Sequence, residues 1–240
     1  MGSSGGAFES RRVVPMPQLV VLAGGLGTRL GEVSERTPKS LVEVAGKPIL
    51  SHILDWACHQ GCIRGLVLIG HLGDHFDGFA HPGMELQFHR EKSPLGTGGA
   101  LWNARAFLEE RFILLWGDDL HRISYDSLLE THHSSGCSLT MTVTSEHGWC
   151  NLQHHDGRLL RYDKSLQNPE GLNGYEAGTS VVERTVLETH GRGGVWSWEE
   201  VIYRELSGSI AVHLDDSPFW DIGTLEGLER LEFFMKEGGL

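Results

Sequence analysis

Positive charge is scarce in this 240-residue chain: 20 Lys and Arg stand against 32 Asp and Glu, a formal net charge of −12. Proteins that track nucleic-acid backbones neutralise phosphates with stripes of Lys and Arg, so this balance argues against nucleic acid as a partner. It leaves room for a small anionic ligand wherever a few cations and backbone N–H groups converge. Long apolar runs are missing too. Every hydrophobic stretch is short and broken by charge, against the roughly 20 residues that a membrane-spanning helix needs. No membrane partner is expected, and the chain reads as a cytoplasmic protein. Arg11-Arg12 is followed by no long apolar segment, so a secretory signal is not indicated. Met1-Gly2-Ser3-Ser4-Gly5-Gly6 has the composition of an expression leader, and residues 1–16 read as a leader or a disordered N-terminus ahead of a single domain over 17–240.

Cysteine is sparse and scattered. Cys58, Cys62, Cys137 and Cys150 offer only one close pair, whereas a zinc site needs ligands from a second cluster, so the thiols read as buried and free. The spacing of four places Cys58 and Cys62 on one face of a helix. Fourteen histidines are many, yet His132-His133 and His154-His155 do not form the His-x-x-x-His pattern with a partnering acid that metal binding uses.

What is present is an alternation of apolar, β-rich runs with segments of helical period, the pattern of parallel strands joined by helical crossovers. Gln18 to Ala23 reads as a buried first strand. Pro48 suits the first position of a helix whose Ile49, Leu50, Ile53, Leu54 and Ala57 share a face. Strands are expected over 66–69, 84–88 and 112–116, with a helix over 100–108. The second half is more β-like, with strands over 138–144, 159–163 and 175–182. Ser197 with Glu200 forms a capping-box signature, and Thr224 suits the cap of a last helix turning Leu228, Leu231 and Met235 inward. The fold expected is a three-layer α/β/α domain with a mixed sheet and a small β-rich insertion.

The chemistry concentrates in Leu22-Ala23-Gly24-Gly25-Leu26-Gly27-Thr28-Arg29, directly after the first strand, followed by Thr37-Pro38-Lys39. Its glycines let backbone N–H groups approach phosphate oxygens, and Arg29 and Lys39 supply the charge that a triphosphate needs. Two better-known phosphate loops are excluded. The dinucleotide fingerprint requires a third glycine where Leu30 stands, and Gly46-Lys47 lacks the upstream glycine and the hydroxyl residue of a Walker A loop. Phe112 to Trp116 ends abruptly in Gly117-Asp118-Asp119, carboxylates at the carboxyl end of a strand, where open α/β sheets bind ligands.

These segments resemble the sugar nucleotidylyltransferases, whose signature is close to Leu-x-Gly-Gly-x-Gly-Thr-Arg-Leu followed by Pro-Lys-Pro. The resemblance continues through Ala45-Gly46-Lys47-Pro48, Pro94-Leu95-Gly96-Thr97-Gly98-Gly99-Ala100, Gly117-Asp118, Glu176-Ala177-Gly178 and Asp221-Ile222-Gly223-Thr224. It implies a Rossmann-like nucleotidyltransferase core, a nucleoside triphosphate and a sugar 1-phosphate as substrates, Mg²⁺ as cofactor, and often a homodimer. Carried over residue by residue, Leu22, Gly24, Gly25, Gly27 and Thr28 wrap the nucleotide, Arg29 faces the β and γ phosphates, and Lys39 faces the α-phosphate. Gly96, Thr97 and Gly98 border base and ribose. Asp118 and Asp221 hold the metal, with a turn or capping role as the bland alternative for each and Asp119 as understudy for the first. Lys164 holds the sugar phosphate, and Asp163, Glu176 and Gly178 line the sugar.

Two departures bear on the substrate. Ser40 replaces the second proline of Pro-Lys-Pro, and Glu176 stands where many relatives carry Asn. Compact length and the Pro-Leu-Gly-Thr-Gly-Gly-Ala segment look most similar to guanylyltransferases acting on D-glycero-α-D-manno-heptose 1-phosphate. Mannose-1-phosphate guanylyltransferases and N-acetylmuramate-1-phosphate uridylyltransferases share most of the motifs. A non-catalytic regulatory paralogue that senses an NDP-sugar is a reading of another class, and the presence of Arg29, Lys39, Asp118 and Asp221 argues against it.

Overall fold

The structure, a computed structural model, describes residues 15–25 and 36–237. Gly27, Thr28 and Arg29 therefore lie outside the described residues. The first strand, β1 (Gln18–Leu22), is buried on both faces, which is why its sequence is an unbroken apolar run and not an alternating one. A short hairpin of β2 (Glu43–Val44) and β3 (Lys47–Pro48) precedes the first long helix. In the main sheet β1 pairs in parallel with β4 (Arg64–Ile69) on one side and β6 (Arg111–Trp116) on the other. Leu22 stands opposite Trp116, so both strands deliver their next residues, the glycine loop and Asp118, to the same edge of the sheet.

Nine strands form the main sheet, in the order β5 (Glu85–Arg90), β4, β1, β6, β11 (Tyr175–Glu183), β8 (Leu139–Thr144), β12 (Ala211–Leu214), β10 (Arg158–Tyr162) and β9 (Leu152–His155). The first four run parallel, and β11 is antiparallel to both β6 and β8, so the sheet is mixed. The β-rich second half extends this sheet through the β9–β10 hairpin, joined to β12 at its edge. Side chains alternate between two cores. Leu19 and Val21 face α1 (Ile49–His59), α3 (Tyr125–Ser135) and α6 (Leu225–Lys236), whereas Val20 faces α2 (Gly96–Asn103), α4 (Arg184–His190) and α5 (Trp198–Glu205). Three layers result, the architecture expected. No helix among the described residues is long and apolar enough to cross a membrane.

Local expectations fare unequally. Ser197 and Thr224 cap α5 and α6 through their hydroxyls, and Leu231 and Met235 are buried under α6. Pro48 stands at the N-cap with extended backbone, one residue before the position expected. The helix expected over 100–108 begins earlier, at Gly96, ends at Asn103 and gives way to a 3₁₀ turn over Arg105–Phe107. Cys62 is buried but lies beyond the end of α1, and Cys58 is only half-buried, so the two do not share a helix face. His132 is buried between the Thr140 hydroxyl and the Glu183 carboxylate, a core contact.

Candidate active site

A cavity of about 330 Å³ opens at the carboxyl ends of β1 and β6. Its lining includes Leu22, Gly24 and Gly25 after β1, Lys39 and Ser40, Gly96 and Thr97 of α2, and Asp118 after β6. A Cβ on Gly24 would come within 3.3 Å of Gly70 N and of the Glu91 carboxylate, a tight fit that its neighbours would have to relax by a few tenths of an ångström. Glu91 itself lines the cavity and accepts a hydrogen bond from Leu95 N at 3.2 Å. Burial raises its pKa, the expected response of a carboxyl partly withdrawn from water. Ser40, at the position of the departed proline, is buried with no hydrogen-bond partner for its hydroxyl among the described residues.

The acids gather next to this cavity. Gly117 N donates to Leu22 O at 2.9 Å, which closes the turn that presents Asp118. The short strands β7 (Asp119–His121) and β13 (Phe219–Asp221) pair antiparallel, with Asp221 directly opposite Asp119, so acids from distant parts of the sequence meet at one point. Lys39 Nζ lies 3.0 Å from Asp118 Oδ2. Asp221 Oδ1 accepts from Gly223 N at 2.6 Å, a local turn contact, while the hydroxyl that caps α6 is that of Thr224. Burial first, then the charges of Asp118, Asp221 and Glu176, push the pKa of Asp119 well up. Its carboxylate rests against Gly178, whose φ of +72° and lack of Cβ make the space; a Cβ there would sit 2.5 Å from Asp119 Oδ2.

No group of three or more His, Cys, Asp or Glu among the described residues is arranged to hold a metal by itself. Asp118 and Asp221 fit a hard cation that keeps waters and phosphate oxygens as its other ligands: both donors are oxygen, and their charges already disfavour ionisation of Asp119 between them.

On the side expected to take the sugar, Glu176 is buried in β11. Trp116 Nε1 donates to it at 3.3 Å, Gly178 N donates to it at 3.1 Å, and its own N donates to Asn151 Oδ1 at 2.9 Å. Burial and the Glu199 charge push its pKa up to about 7. Lys164 Nζ donates to Glu199 Oε1 at 2.7 Å, and Thr97 Oγ1 donates to Glu199 Oε2 at 2.6 Å.

The structure thus brings together Leu22, Gly24, Gly25, Lys39, Gly96, Thr97 and Asp118 around one cavity, with Asp221, Glu176, Gly178 and Lys164 beside it. Two expectations need correction. Gly98 does not face the cavity: its close approach is to the Trp196 ring, and its N donates to Trp196 O, so the glycine serves packing within the protein and not contact with a nucleotide. Asp163 is committed to its own loop, accepting from Ser165 Oγ at 2.8 Å and Asn168 N at 3.0 Å, which leaves it poorly placed as a sugar-hydroxyl acceptor. Sequence reasoning misses Glu91 and Glu199. Glu91 stands three residues before Pro94, in a segment whose glycines are its visible signal, and Glu199 sits inside the first turn of a capped helix, where an acid needs no further reason.

Comparison with known proteins agrees with this geometry. The family model described as nucleotidyl transferase matches residues 18–148. The D-glycero-alpha-D-manno-heptose 1-phosphate guanylyltransferase of Aneurinibacillus thermoaerophilus is 26% identical over 216 residues, 86% of this chain and 93% of that protein. The mannose-1-phosphate guanylyltransferase catalytic subunit beta of Drosophila melanogaster is 34% identical over 85% of this chain, but the match spans only 58% of the fly protein. Among solved structures, HddC from Yersinia pseudotuberculosis complexed with GMP-PN superposes with a TM-score of 0.78 at 26% identity, covering 92% of this chain and 100% of that one.

Proposed function

This chain belongs to the nucleotidyl transferase family as a sugar-phosphate nucleotidyltransferase, and we propose that its substrates are GTP and D-glycero-α-D-manno-heptose 1-phosphate. The observation that carries guanine is the Glu91 carboxylate in the cavity wall. Guanine presents two adjacent donors, N1–H and the exocyclic amine, which a carboxylate accepts together. Uracil and thymine place a single donor between two carbonyl oxygens that a carboxylate repels, which speaks against the N-acetylmuramate uridylyltransferase reading. Support for heptose is the likeness to two heptose-type relatives, 26% and 27% identical over 86% and 87% of this chain.

In this reading an oxygen of the sugar 1-phosphate attacks the α-phosphorus in line and pyrophosphate leaves. The nucleophile is already anionic at neutral pH, so the chain needs no general base, and its work is positioning and charge neutralisation. Lys39 moves its charge from Asp118 to the α-phosphate, and Arg29 serves the β and γ phosphates. Asp118 and Asp221 would hold Mg²⁺, which supplies further neutralisation of the phosphate oxygens. Lys164 holds the sugar phosphate, and Glu176 accepts from sugar hydroxyls once it is ionised.

Inosine triphosphate, which lacks the exocyclic amine, tests the base assignment. The wild-type protein should prefer GTP to it by about 10- to 100-fold in kcat/KM, because a buried acceptor is left unpaired, and Glu91→Gln should narrow that ratio. An unchanged ratio in Glu91→Gln, or a wild-type preference for UTP, contradicts it.

A further inference from the structure

We propose that Glu199 is a positioning residue that couples the two substrate halves of the site, holding the Lys164 ammonium through one carboxylate oxygen and the Thr97 hydroxyl through the other. The proposal rests on the sugar-phosphate nucleotidyltransferase reading given above. Thr97 belongs to the wall of the nucleotide cavity, whereas Lys164 belongs to the sugar-phosphate side, and they are joined by 2.6 Å and 2.7 Å contacts to one side chain. The anchor is buried and the cation is not: the Glu199 side chain is 7% exposed and that of Lys164 61%. A flexible, exposed lysine held by a buried carboxylate loses its rotamer freedom before substrate arrives.

Three features keep the anchor rigid. Ser197 Oγ donates to Glu199 Oε2 at 3.0 Å, and Trp198 N donates to Thr97 Oγ1 at 2.8 Å. Trp196 N donates to Leu95 O, and Trp196 O accepts from Gly98 N and Gly99 N, so the Gly96–Gly99 turn and the start of α5 are laced into one unit. Glu199 also stands in the first turn of α5, where the helix dipole favours a negative charge. Burial opposes ionisation of Glu199, but the Lys164 charge and the hydrogen bonds from Lys164 and Thr97 outweigh it and hold its pKa below the ordinary value. Any adjustment of the Thr97 turn when a nucleotide fills the cavity therefore reaches the Lys164 ammonium through a single rigid side chain. Such coupling is reciprocal, so the sugar phosphate tightens the nucleotide by the same factor.

Initial-rate kinetics with GTP and whichever sugar 1-phosphate the wild-type protein turns over fastest will test this. Glu199→Gln keeps the shape and an acceptor for Thr97 but removes the charge that holds Lys164. It should raise KM for the sugar 1-phosphate about 10- to 100-fold, the worth of a hydrogen bond to a charged group, and leave the Kd of GTP measured without sugar phosphate within about twofold. Thr97→Val, a change in the nucleotide wall, should raise the sugar-side KM several-fold as well. Lys164→Met combined with either change should be no worse than Lys164→Met alone. An equal loss of GTP affinity measured without sugar phosphate, or additive effects in the double variants, overturns the coupling; if Glu199→Gln does not fold, the Thr97 and Lys164 variants and their combination decide the matter in the same way. A wild-type protein silent with every triphosphate and sugar 1-phosphate overturns the functional reading itself, and the coupling with it.

Discussion

The ammonium of Lys39 lies 3.0 Å from Oδ2 of Asp118, joining residues 79 positions apart in the sequence. The Lys39 side chain is 13% exposed and that of Asp118 24%, so the pair is only partly screened by water. The lysine neutralises the acid in this structure; in the proposed reaction a triphosphate would give each a new partner.

Loss of either partner should therefore damage catalysis more than folding. Asp118→Asn and Lys39→Ala are each expected to lower kcat by about 10²- to 10³-fold, the cost of removing one preorganised charge from a transition state that gathers charge. The double variant should fall well short of the product of the two, because both act on the same phosphate. Near-normal turnover in Asp118→Asn contradicts the metal assignment.

Glu176 sets a pH dependence. Its folded-state pKa of about 7 lies above the ordinary glutamate value, so between the two the folded protein binds more protons than the unfolded one. Stability from this group is therefore full at pH 4 and is lost as pH rises through 7. The cost above that is on the order of 3 kcal/mol. Glu176→Gln should raise the melting temperature at pH 8 and leave it nearly unchanged at pH 4.5, measured by calorimetry. Binding of the sugar 1-phosphate should strengthen through pH 7 in the wild-type protein and lose that limb in the variant.

Two glycines in left-handed backbone separate strain from collision. At Gly136, with φ of +64°, an added Cβ meets nothing within 4 Å, so Gly136→Ala should cost about 1 kcal/mol of backbone strain. At Gly178, with φ of +72°, the Cβ would also strike the Asp119 carboxylate. Gly178→Ala should cost about 2 to 4 kcal/mol in denaturant unfolding and reduce kcat, since the added Cβ displaces the carboxylate of Asp119, the neighbour of Asp118. Equal losses for the two variants contradict the close fit at Gly178.

Much of this fold is legible in the sequence where one physical demand dominates. β1 and β6 are buried on both faces, and their short, β-rich apolar runs bounded by glycine or charge read as interior strands. The caps at Ser197 and Thr224 are local chemistry and equally readable. The start of α2 is obscured because its first four residues are Gly96, Thr97, Gly98 and Gly99, a run that disfavours helix on propensity. The glycines are there because Trp196 and Gly194 press against that turn, from nearly a hundred residues away. Site residues divide in the same way. Asp118 announces itself by following a strand and Asp221 by its Asp-Ile-Gly-Thr motif, but the contact of Glu199 is with Thr97, 102 residues distant, and a Cβ on Gly24 would crowd Glu91. Asp163 reads as available in the sequence only because the loop hydrogen bonds that occupy it leave no periodic trace.

Pyrophosphate release from the purified protein with Mg²⁺, across GTP, UTP, CTP, ATP and dTTP and a panel of sugar 1-phosphates including the manno-heptose and mannose compounds, tests the central claim most directly. Release is expected with GTP and D-glycero-α-D-manno-heptose 1-phosphate above every other pair, lowered about 10²- to 10³-fold in Asp118→Asn. No release with any pair, alongside measurable binding of an NDP-sugar, contradicts it and identifies a sensor instead of an enzyme.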